Sequence, residues 1–76
     1  MKENLTPPRY RGLLTKNAIY NYIQLYQRLF GYPPTLHEIG QGIGKSQSVV
    51  QYHLVGMEEL GMVERRGHSP RAIKIL

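Results

Sequence analysis

Thr35 and Ser46 each carry the signature of a helix beginning, and they stand eleven residues apart with Gly40, Gly42 and Gly44 between them. Thr35 is followed three residues later by Glu38, a pattern in which the hydroxyl takes the N3 amide and the carboxylate takes the cap amide. Ser46 precedes Gln47-Ser48-Val49-Val50-Gln51-Tyr52-His53-Leu54, and a serine there satisfies an orphan amide of the first turn. A short helix, a glycine stop at Gly44 and an immediate second start are the sequence form of a helix-turn-helix, whose second helix is held out with one face free.

The remaining elements follow from periodicity. Ile19, Tyr22, Ile23, Tyr26, Leu29 and Phe30 recur at three- and four-residue spacing, predicting a first helix over about 15–30 with Thr15 as cap and Leu14 as staple. Gly31 stops it and Pro33-Pro34 prevents its resumption. The second helix, about 36–43, turns Leu36, Ile39 and Ile43 inward. Gly40 inside it marks a close packing contact, because a mid-helix glycine costs roughly 1 kcal/mol. The third helix, about 47–60, turns Val50, Leu54, Met57 and Leu60 inward and stops at Gly61. Beyond it Met62-Val63-Glu64-Arg65 and Ala72-Ile73-Lys74-Ile75-Leu76 read as strands of a hairpin over about 62–76. Two strands alone are marginal, so Val63, Ile73 and Ile75 must pack on the helices. Pro7-Pro8-Arg9-Tyr10-Arg11-Gly12 is read as non-helical, giving a flexible basic arm over about 1–13 ahead of a domain at 14–76. No heptad or exposed apolar strip suggests a dimer interface. The expected fold is mainly α with a small β-hairpin, a three-helix winged helix-turn-helix.

Seventy-six residues suit one small domain, and the absence of cysteine excludes disulfides and thiolate metal sites. A net charge of +5 points to a polyanion partner. The acids Glu38, Glu58, Glu59 and Glu64 lie mid-chain, whereas Arg9, Arg11, Lys45, Arg65, Arg66 and Arg71 fall in arm, turn and loop segments, the distribution of a phosphate footprint. Neither a signal-peptide segment nor an apolar run of membrane-spanning length occurs, so a cytoplasmic protein is expected. His37, His53 and His68 lack metal-ligand spacing, and Ser46, Ser48 and Ser69 have no evident base. Gly40-Gln41-Gly42-Ile43-Gly44 follows a helix rather than a strand, which removes the nucleotide-loop context. No enzyme activity, cofactor or metal is expected.

Pro33-Pro34-Thr35, Glu38-Ile39-Gly40, Ser46 through Leu54, Gly61-Met62-Val63-Glu64 and Arg71-Ala72-Ile73-Lys74-Ile75-Leu76 together resemble the N-terminal DNA-binding domain of LexA-type repressors, over residues 14 to 76. The resemblance implies a bacterial, nucleoid-associated repressor domain for double-stranded DNA. It implies that Ser46, Ser48, Val49, Gln51 and Tyr52 read bases, and helical geometry agrees, since inward Val50, Leu54 and Met57 leave these positions turned away. Gln51 is expected to bond an adenine edge in bidentate fashion, Ser48 either strand, and Val49 a thymine methyl. Tyr52 suits the sugar-phosphate wall as well, and His53 is read as structural. Lys45, Gln47, Arg65, Arg66, His68, Ser69 and Arg71 are the expected phosphate and wing contacts, with the wing tip in the minor groove.

The turn before Ser46 is one residue shorter than in the typical pattern and the reading side chains differ, so a LexA-type operator is not implied. The self-cleaving peptidase domain of such repressors lies outside the resemblance, and self-cleavage is not expected of these residues. A palindromic pair of half-sites requires a homodimer, formed on DNA or through a further domain. Two other readings compete: a winged-helix protein-interaction module anchored by Tyr10, Tyr20, Tyr32 and Tyr52, and a non-specific nucleic-acid binder.

Overall fold

The computed structural model describes residues 8–67 and 69–76, with side-chain surroundings from residue 12 onward. Its elements are α1 (Pro8–Phe30), α2 (Leu36–Ile43), α3 (Gln47–Glu59), β1 (Val63–Arg65) and β2 (Ile73–Ile75). Order and type agree with the sequence pattern, and the fold is a winged helix-turn-helix, mainly α with one small hairpin. The first helix departs from expectation. It begins at Pro8 rather than Thr15, so residues 8–13 extend α1 instead of forming an arm. Proline excludes a helix interior but suits its opening turn, where the missing N–H would have had no partner and φ is already helical. The rest of the expected arm, residues 1–7, lies outside the described residues, as do His68 and the side chains of Arg9 and Arg11.

The cap pattern at Thr35 is realised in both directions: the Glu38 amide donates to Thr35 Oγ1 at 3.1 Å, and the Thr35 amide donates to Glu38 Oε1 at 2.9 Å. α2 ends at Gly44, whose φ of 74° is a left-handed conformation that a side chain would strain. The Lys45 amide then donates to Gly40 O at 2.9 Å, folding the turn back over α2. A Cβ on the buried Gly40 would stand 2.6 Å from Lys45 O, which is why this position holds glycine. Ser46 caps α3, its Oγ accepting the Val49 amide at 3.2 Å.

The core joins all the elements: Ile19 and Ile23 of α1, Ile39 of α2, Val50, Leu54 and Met57 of α3, Val63 of β1 and Ile73 of β2. The hairpin is antiparallel with Val63 opposite Ile75, Glu64 opposite Lys74 and Arg65 opposite Ile73. Three residues expected inside are instead exposed: Leu29, Phe30 and Leu60. The chain leaves α1 at Gly31 into an eight-residue α2, so the last turn of α1 is left uncovered among the described residues. Phe30 packs beside Tyr26, ring centroids 4.5 Å apart, rather than into the core. Leu60 falls at the C-cap, beyond the last inward turn of α3. Leu14, Ala18, Leu25 and Leu29 also line one exposed flank of α1, an apolar strip where none was expected.

Gly40→Ala tests the turn. Helix propensity alone would stabilise the variant by about 1 kcal/mol, whereas overpacking against Lys45 O should destabilise it by about 1–3 kcal/mol in urea unfolding. A stabilised variant would disprove the close approach.

Candidate nucleic-acid interface

Burial of Val50, Leu54 and Met57 anchors one side of α3 and turns the opposite side to solvent. Ser46, Gln47, Ser48, Val49 and Tyr52 are all exposed there, with Lys45 exposed in the preceding turn. Tyr52 is 73% exposed, the most of any large apolar or aromatic side chain described, so it is no cover for the core. Gln51 is half-buried on the side facing the wing. Gln47 lies on the flank towards α2, where its Nε2 donates to His37 Nδ1 at 3.1 Å and ties the two helix starts together. The expected base-reading residues thus share one helix, four of them on its open face and Gln51 at its edge.

The expected cluster of wing cations separates into three environments. Side chains alternate along a strand, so Arg65 shares the inward side with Val63 and reaches back over α3. Its Nη1 donates to Gln51 Oε1 at 2.7 Å, and its Nη2 lies 3.4 Å from Glu58 Oε1. Arg66 points outward, 69% exposed, and pairs with Glu64 at 2.8 Å. That bond lowers the Glu64 pKa and raises that of Arg66. Such an exposed pair is screened by water and exchanges readily with a phosphate. Ser69 is exposed, and its Oγ accepts the Arg71 amide at 3.3 Å within the turn.

Arg71 does not stand free at the wing. Its Nη1 donates to Pro33 O at 2.8 Å and to Glu38 Oε1 at 2.9 Å, its Nη2 donates to Glu38 Oε2 at 2.9 Å, and its guanidinium lies 4.7 Å from the Tyr32 ring centre. The fork matches the carboxylate edge in bidentate fashion, and the ring stacks on it. These bonds tie the exit of the wing to the start of α2 and engage the guanidinium that the sequence pattern placed at a phosphate. The Arg71 bond, aided by the Thr35 amide, holds the Glu38 carboxyl at a pKa of about 2. The adjoining Tyr26 phenol is pushed up, chiefly by burial.

Beside α3, Lys45 and Lys16 have no carboxylate partner among the described residues. Lys16 belongs to no motif in the sequence. It sits three residues before Ile19, and its Nζ approaches His53 Nδ1 at 3.2 Å. Burial first, then the charges of Lys16 and Lys45, lower the His53 pKa and keep the ring a neutral acceptor, in keeping with its structural reading. An open groove of about 710 Å³ runs between the wing and the starts of α2 and α3, walled by His37, Gln47, Glu58, Arg65 and Ser69. Among the described residues no three metal-ligating side chains gather.

The sequence profile of the LexA DNA binding domain matches residues 13–72. The chain belongs to this family. The LexA repressors of Staphylococcus aureus strains Mu3, N315 and USA300 are each 46% identical to it over 66 residues, covering 83% of this chain and 32% of the repressor. The chain therefore spans about a third of the length of these curated relatives. The whole open face of α3 and both wing arginines that bridge to acids of other elements lie inside the LexA-type segment.

The Glu38–Arg71 pair should be visible in acid unfolding. A carboxyl held at about 2, down from 4.5, contributes stability that is complete above 4.5 and is lost as pH falls from there towards 2. Glu38→Gln should be less stable near neutrality and should lose less stability than the parent across that window. An unchanged acid profile would remove the pair from the stability of the fold.

Proposed function

We propose that this LexA-type domain binds double-stranded DNA sequence-specifically, with α3 in the major groove and the wing against the backbone, and that occupancy of the site represses transcription. The observation that carries the reading is the open face of α3, where Ser46, Ser48, Val49 and Tyr52 stand exposed between Lys45 and the wing. Short side chains allow the helix backbone to approach base edges closely, while Tyr52 meets the sugar-phosphate wall. Repression is the activity that the relatives' name states, and it is carried over as part of this reading. A cytoplasmic, nucleoid-bound location is carried over from the family as part of the same reading. Two copies are needed for a palindromic site, since one module of this size makes a small interface.

Phosphate binding is assigned to Lys45, Arg66 and the first-turn amides of α3 near Gln47, with Ser69 beside them at the wing. Affinity should weaken with salt. Lys45→Ala and Arg66→Ala should each reduce the slope of log affinity against log salt by about 0.9 for every phosphate the side chain neutralises, for all sequences alike. An unaltered slope would remove the residue from the footprint. The direct test is an amide titration by NMR of the labelled chain with a short duplex at low salt. Shifts are expected from Ser46 to Tyr52 and around Arg66, and shifts confined to the exposed flank of α1 would overturn the reading.

A further inference from the structure

Resting on α3 as the reading helix, we infer that Arg65 fixes the orientation of the Gln51 amide so that Gln51 presents only hydrogen-bond donors to the groove and selects guanine rather than adenine. An arginine has five N–H donors and no acceptor, so the amide atom that lies 2.7 Å from Arg65 Nη1 must be the carbonyl oxygen. A flipped amide would set N–H groups against a cation. The guanidinium is itself held, because Nη2 lies 3.4 Å from Glu58, two turns along the same side of α3. The Arg65 side chain is only 24% exposed, which strengthens the anchoring. Gln51 Nε2 has no partner among the described side chains, and no buried side-chain donor is left unsatisfied, so its two N–H groups remain open to a ligand.

The bases distinguish this arrangement from a free glutamine. Bidentate pairing with adenine needs one donor for N7 and one acceptor for the N6 amine. The amide oxygen has a second lone pair, but the Arg65 guanidinium holds that oxygen towards the wing and draws on its electron density, so the adenine amine meets a turned and weakened acceptor, and a poorly made hydrogen bond in a desolvated groove is costly. Guanine presents N7 and O6, two acceptors and no donor on that edge, and it satisfies an amide that offers N–H groups alone. The adenine preference expected from residue type is thereby reversed by a wing residue fourteen positions away. Arg65 is a positioning residue, acting on the base through Gln51.

The test is selection from a randomised duplex library with the whole 76-residue chain, followed by dissociation constants for duplexes that differ only at the base pair whose preference Gln51→Ala abolishes. The parent should prefer guanine over adenine there by about tenfold. Arg65→Met, which keeps the stem and removes the donors, should bring that ratio near unity, and Arg65→Lys, which retains a donor, should preserve most of it. A ratio of two constants cancels any loss of folded protein, so a merely less stable variant leaves it unmoved. Should Arg65→Met fail to fold, Glu58→Gln, which loosens the guanidinium, should lower the ratio part-way. Adenine selected at that pair, a ratio indifferent to these variants, or a Gln51→Ala variant with unchanged preference would overturn the inference while leaving the groove-reading model in place. A selection that enriches no sequence would overturn both.

Discussion

The bidentate pair between Arg71 and Glu38 joins three parts of the molecule that the small core alone would hold loosely. Glu38 accepts the Thr35 amide to cap α2 and, through both its oxygens, the two ends of the Arg71 fork. Arg71 adds Pro33 O and the face of Tyr32, so the connection between α1 and α2 is fastened by the same group. Strands of three residues have little independent stability. Their position over α3 depends on Val63 and Ile73 beneath them and on this clasp at their exit. A lysine would not serve, because an ammonium lacks the planar fork that meets carboxylate, carbonyl and ring together.

With Arg71 committed to Glu38 and Arg65 to Glu58, the wing is less cationic than its sequence suggests. Arg66 is the arginine placed to exchange partners. In the proposed complex, where Arg66 exchanges Glu64 for a phosphate, the carboxylate is not stranded, since Lys74 stands directly opposite in the hairpin and already lowers its pKa. In that complex Glu64 keeps a cation beside it on the outer face of the wing. Lys45 and Lys16 have no carboxylate partner among the described residues, and the field of such charges is screened by salt.

What is legible in the sequence is local. The capping box at Thr35, the Ser46 cap, the stop at Gly44 and the inward faces of α2 and α3 are written close to where they act. The beginning of α1 is hidden by Pro8, because the residue that excludes a helix interior is also one that can open a helix. Leu29, Phe30 and Leu60 follow the period of a buried stripe, but periodicity does not say where the covering element ends. The charged partners are the least legible, since Arg71 and Glu38 are 33 positions apart. Part of that pairing is foreshadowed nonetheless. Strand alternation from Val63 places Arg65 on the inward side, which already disfavours reading it as a free phosphate ligand.

In the proposed binding mode the open face of α3 requires that the wing be held firmly. Ser46, Ser48 and Val49 are short, so they meet base edges only if the backbone of α3 lies deep in the groove. A helix with long side chains tolerates some error in its docking angle because those chains can bend to compensate. Here Gln51 and Tyr52 alone among the expected readers have such reach, and Gln51 is fixed by Arg65. The angle between α3 and the wing becomes part of recognition, because a wing resting on the backbone determines how deeply α3 enters. Arg65 braces that angle from α3, and Arg71 braces it from α2. In that binding mode the two arginines that look in sequence like ligands for phosphate act through geometry, by holding the proposed reading surface.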